Sequence, residues 1–181
     1  MMRYFVNVIT VAFFSTLLFS CSKRNHPGKS NTPSSVTVTP SGSASASSSD
    51  NSAPNMSTMN DDILTYINQY RTSLGKTPFK MVQAASTEAA KHSSGMASGK
   101  VAFGHDGMQI RVTNVARQIG RISAAAENVA HGKLNARQVV DGWLNSPGHK
   151  KNIEGNYTLT GIGVAQSSRG EIFFTQIFLR K

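Results

Sequence analysis

The sequence predicts an α+β domain carried at the end of a non-globular lead. Apolar residues recur at helical spacing over residues 61–145, then alternate over residues 157–179. Helices followed by a hairpin in one small domain define the class. Ahead of them, residues 21–56 are rich in Ser and carry Pro27, Pro33, Pro40 and Pro54, a composition that buries no core. The 181 residues leave room for one ordinary domain plus extensions.

The chain opens with Met-Met-Arg and an apolar run from Tyr4 to Phe19. A short basic start and a run of this length describe a secretory signal peptide over residues 1–20. Asn7, Thr10, Ser15 and Thr16 interrupt the run, and a membrane span needs about 20 apolar residues. Leu18-Phe19-Ser20-Cys21 resembles a bacterial lipobox, which places a lipidated cysteine at the start of the mature chain. Acyl chains contribute ~0.8 kcal/mol per buried CH₂, so two or three would hold the protein on a membrane. Residues 21–56 are then a disordered tether.

The folded domain is expected over residues 57–181. Its first helix runs from about Asp61 to Leu74, with Ile63, Ile67, Tyr70 and Leu74 on one face, Asn60 as N-cap and Gly75 as the stop. A second spans about Val82 to Ser98 and aligns Val82, Ala85, Ala89, His92 and Met96. A third covers Met108 to Ile119, before Gly120. The fourth runs from Ala136 to Asn145, capped by Asn135, with Val139, Val140 and Trp143 inward and Pro147-Gly148 as its end. Tyr157 to Val164, the turn Ser167-Ser168-Arg169-Gly170 and Ile172 to Leu179 then form a hairpin.

Composition removes several function classes. The net charge is +10, yet no stacking aromatics interleave with the scattered Lys and Arg, so nucleic acid is not the expected partner. A single cysteine, Cys21, excludes internal disulfides and Cys-ligated zinc or iron–sulfur sites. There is no H-E-x-x-H and no G-x-S-x-G. Ser73-Leu74-Gly75-Lys76 fits S-x-x-K but lies at a helix end without companion motifs.

Two histidines have unusual settings. His105 lies in the glycine-flanked loop Phe103-Gly104-His105-Asp106-Gly107, and His149 lies just past a helix end, in Trp143-Leu144-Asn145-Ser146-Pro147-Gly148-His149. Glu127 sits in Ala126-Glu127-Asn128-Val129-Ala130, where a carboxylate among apolar neighbours needs partners. Spacing alone does not bring the three together.

These motifs, in this order, resemble the CAP superfamily, the group of the sperm-coating-protein (SCP) domain, cysteine-rich secretory proteins, antigen 5 and pathogenesis-related proteins. Ile67-Asn68-Gln69-Tyr70-Arg71, Ala90-Lys91-His92-Ser93, Gly161-Ile162-Gly163-Val164 and Phe174-Thr175-Gln176 extend the resemblance over about residues 58–180, and its bacterial lipoprotein branch is the nearest in pattern. The resemblance implies a three-layer α-β-α sandwich with an antiparallel sheet and a cleft where His105, Glu127 and His149 converge. Ser146 stands where a second family glutamate falls, and Ala126 where the family usually has glycine. His92 and His131 receive no family role.

The resemblance leaves two readings of the cleft open. In the first, the chain is exported to the bacterial envelope and lipid-anchored through Cys21, and binds a lipid, glycan or envelope-protein ligand. In the second, His105 and His149 ligate a divalent metal such as zinc, and Glu127 orients a histidine or a water for hydrolysis. The catalytic candidates on that reading are His105, Glu127 and His149. The resemblance establishes no reaction.

Overall fold

The computed structural model describes Met56 and residues 58–181; the signal, lipidation and tether expectations lie outside these residues. Nine elements follow one another: α1 (Met59–Ser73), β1 (Lys80–Met81), α2 (Gln83–Ala97), α3 (Met108–Ile119), β2 (Ala124–Gly132), α4 (Ala136–Leu144), α5 (Pro147–Ile153), β3 (Leu159–Gln166) and β4 (Ile172–Arg180). The strands form one sheet in the order β1-β3-β4-β2. It is antiparallel except at its two-residue margin, where β1 runs parallel to β3.

The strand period sorts the core into two layers. Ile172, Phe174 and Phe178 point to one face of β4, where they meet Ile63 and Ile67 of α1, Val139, Val140 and Trp143 of α4, and Ile153 of α5. Ile177 and Leu179 point to the other face, where they meet Ala85 and Ala89 of α2 and Val112 and Val115 of α3. The result is the expected α-β-α sandwich. Each large apolar side chain buried this way contributes about 1.5–3 kcal/mol relative to exposure.

The two layers use different side chains because the helices approach to different depths. α2 lies directly on β3: a Cβ added at Gly161 would sit 2.2 Å from the Ala85 carbonyl carbon, and one at Gly163 would sit 2.1 Å from the Ala90 nitrogen. The alanines of α2 and the glycines of β3 are thus one packing device. Ser93 closes the same interface, donating to Gly163 O at 2.9 Å and accepting from Thr175 Oγ1 at 2.8 Å.

On the opposite face, Arg71 of α1 is buried and ties the layer's ends together. Its Nε donates to Thr77 O at 2.9 Å and its Nη1 to Gly155 O at 3.1 Å, while its guanidinium lies 3.8 Å above the Phe79 ring. Asn135 and Gln138 form a reciprocal capping box at the start of α4, each bond 2.9 Å.

Three local expectations change. α1 begins at Met59 with Thr58 in the cap position, so Asn60 is helical and its side chain caps nothing. Residues 124–132, expected as an apolar stretch without assigned structure, form the margin strand β2. α4 ends at Leu144, ahead of Pro147-Gly148 as expected, but a further helix starts there: Pro147 occupies the first turn of α5, where its missing N–H is no loss.

Candidate functional site

β2 presents Glu127 to the face shared with α2 and α3, because Glu127 is in register with Ile177 of β4. Its carboxylate is fully shielded from solvent. A buried carboxylate needs compensation, and Arg111 of α3 supplies it through two bonds: Nε donates to Oε2 at 2.8 Å and Nη2 to Oε1 at 2.7 Å. The same Oε1 accepts from His105 Nδ1 at 3.0 Å.

The network extends behind Arg111. Its Nη1 donates to Asp106 O at 2.8 Å and contacts His92 Nδ1 at 3.2 Å. His92 Nε2 faces Gly104 O at 2.8 Å. A carbonyl only accepts, so Nε2 carries the His92 proton and Nδ1 accepts from Arg111. By the same logic His105 carries its proton on Nδ1, toward Glu127, and offers the Nε2 lone pair outward. Burial pushes the His92 pKa down, and the Arg111 charge adds to this against the opposing bond to Gly104.

His149 reaches the site from another direction. It lies on α5, whose placement against β2 is set by amides: Asn128 Nδ2 donates to His149 O at 3.2 Å, and Asn152 Nδ2 donates to Asn128 Oδ1 at 2.9 Å and to Glu127 O at 3.3 Å. Neighbouring β2 residues alternate in direction, so Glu127 faces the α3 layer while Asn128 holds the α5 layer. Burial lowers the His149 pKa, and the nearby His105 disfavours its protonation further. No hydrogen bond joins the His149 ring to His105 or Glu127 among the described residues.

Of the three residues singled out from sequence, His105 and Glu127 therefore touch, and His149 is coupled to His105 through charge. His92, which the sequence reading placed on the second helix without a role, and Arg111, which it did not single out, complete the arrangement. Arg111 had one legible signal: it falls in the buried stripe of α3 with Val112 and Val115, where a charge requires a partner. His131 stands apart, stacked on Phe173 at 5.3 Å and in edge contact with Phe103 at 4.6 Å.

The donor set bears on the metal expectation. His105 Nε2 and the His149 ring are two nitrogen donors, but a catalytic zinc usually takes three protein ligands. Among the described residues, no group of three or more His, Cys, Asp or Glu side chains is placed to hold a metal. Glu127 does not make up the number, since its carboxylate is fully shielded behind Arg111 and His105. The residues present thus do not fit a resident zinc.

The chain belongs to the cysteine-rich secretory protein family, CAP, whose sequence model matches residues 64–178. Among curated proteins it is similar to the uncharacterized protein YkwD of Bacillus subtilis strain 168, at 45% identity over 58 residues, covering 32% of this chain and 21% of that protein. The chain thus matches about a fifth of that relative's length. Among solved structures it is similar to an SCP-domain extracellular protein from Bacillus anthracis, with a TM-score of 0.57 at 28% identity, over 70% of this chain and 41% of the other. An outer surface protein from Borrelia burgdorferi shares the fold, with a TM-score of 0.56 at 19% identity, over 67% of this chain and 93% of that one.

Proposed function

We propose that this protein is an exported, lipid-anchored CAP-domain module of the bacterial envelope that captures a ligand at the His105–Glu127–His149 cleft without turning it over. The observation that carries this reading is the state of Glu127. A general base or a metal ligand needs a carboxylate oxygen that a proton or an ion can reach, and the Glu127 carboxylate is shut off from solvent while it accepts from the Arg111 fork and His105 Nδ1. What remains available is His105 Nε2 as an acceptor and the half-buried ring of His149, a pair suited to hydrogen-bonding a polar headgroup, a sugar or a peptide. The similarity to an extracellular Bacillus anthracis protein supports export. The Leu18-Phe19-Ser20-Cys21 pattern supports the anchor.

Three measurements test the reading. Zinc titration of the protein by calorimetry at neutral pH should show no tight site. One-to-one binding lost in both His105→Ala and His149→Ala would overturn the metal-free cleft and favour the hydrolase reading. Peptide and ester probes should show no turnover above background, with or without zinc. Hydrolysis abolished by Glu127→Gln, in a variant whose melting curve shows it folded, would also overturn it. For the anchor, expression in a bacterial host with radiolabelled palmitate should label the protein and place it in the membrane fraction. Cys21→Ala should lose both, and an unchanged distribution would remove the lipid anchor.

A further inference from the structure

A groove distinct from the histidine cleft runs along α2. The histidine network lies on β2 and α3; the groove lies beside β3, toward the opposite edge of the sheet, and His105, Glu127 and His149 take no part in its walls. It encloses about 1150 Å³, more than the ~300–1,000 Å³ usual for a small-molecule site. One wall is α2 itself, fifteen residues and so about 22 Å long. The first turn of α1 and the β3–β4 turn close the sides.

The wall follows from the helical period. Ala85, Ala89, His92 and Met96 of α2 are buried, which turns Gln83, Thr87, Ala90 and Ser94 outward at spacings of four, three and four. These side chains are short or amide-bearing. Gln166 and Ser168 continue the same chemistry from the β3–β4 turn, and Lys100 stands at the end of α2. At the α1 side, Asn60 Oδ1 is shut off from water and accepts no hydrogen bond among the described residues.

We propose that this groove is a second binding site, one that takes a carbohydrate chain. Hydroxyls and primary amides each donate and accept, which is the pairing a polyol requires. Ser and Thr lose little rotamer freedom when fixed, so many modest hydrogen bonds add up at low ordering cost. An acyl chain needs a mainly apolar lining, and here Met81, Ala90 and Ala165 share the walls with hydroxyls, amides and the charges of Asp61, Lys91 and Lys100. A peptide partner is anchored by aromatic or arginine hot spots, and a nucleic acid by stacking aromatics; the groove walls offer none of these. The elongated form, open along its length, suits an oligomer over a single ring.

The test is binding of the full chain, held in detergent, to an immobilised array of bacterial envelope oligosaccharides. Ser94→Trp and Thr87→Tyr fill the groove from exposed helix positions, and circular dichroism checks that each variant is folded. The expected result is binding to a subset of glycans, weakened at least tenfold in both groove variants. Two results would overturn the proposal: no glycan bound by the wild type, or binding that survives both groove variants. If that surviving binding is lost in His105→Ala, the sugar belongs to the histidine cleft.

Discussion

At the residue scale, the energetics of the site centre on Arg111. It spans Glu127, His92 and the backbone of the His105 loop, so one side chain fixes a carboxylate and two imidazoles. Removing one member of a buried charge pair typically costs about 3–5 kcal/mol, because the partner stays buried and uncompensated. Arg111→Met should therefore lower the unfolding free energy by about that amount in urea titration, whereas Glu127→Gln, which keeps a hydrogen-bonding side chain, should lose less. A loss below about 1 kcal/mol for Arg111→Met would mean that water reaches Glu127. The histidines add a pH dependence. His92 and His149 have folded pKa values below their unfolded value, so the unfolded chain takes up protons first as pH falls. Their contribution is complete above about pH 6.5 and is lost as pH drops through the lowered folded values. Melting temperature should fall on acidification below pH 6.5, and His92→Gln should flatten that slope. The sequence exposed His105, Glu127 and His149 through their motif settings. It hid Arg111 and His92, whose partners are 16 and 12 positions away, at Glu127 and Gly104.

At the element scale, the helices and the hairpin were legible because their residues obey the period of the structure they form. Met108–Ile119 and the strands of the hairpin show this directly. β2 was not legible. Ala124-Ala125-Ala126-Glu127-Asn128-Val129-Ala130 holds a single β-branched residue, and its buried face carries the charged group that its partners satisfy. α5 was hidden by a proline read as a stop where it serves as a start. The contact of α2 with β3 gives the sharpest element-scale prediction. A methyl group at residue 163 would collide with α2 backbone, which cannot swing aside like a side-chain tip. Gly163→Ala should cost about 3 kcal/mol, at the upper end of overpacking substitutions. A thermal-shift comparison with Gly142→Ala, where an added Cβ meets nothing within 4 Å, separates collision from a general glycine effect.

For the whole molecule, two apolar layers share one sheet, and β4 contributes side chains to both. Neither layer survives without β4, so the domain should unfold in one step. Trp143 is buried in the α1/α4 layer and is the single tryptophan, so its fluorescence reports that layer, while far-ultraviolet circular dichroism reports all the helices. The two denaturation midpoints should coincide. Separated midpoints would show that the α2/α3 layer melts independently.

The same sheet has two margins, and neither invites another strand. β1 is two residues long, too short to template an addition. At β2, the side chain of Asn152 already occupies the Glu127 carbonyl and α5 packs against the strand. If the proposed lipid anchor holds copies on a membrane, they meet at high local density, where exposed strand margins would zip neighbours into aggregates. The amide that positions α5 against the cleft thus also keeps crowded copies of the domain separate.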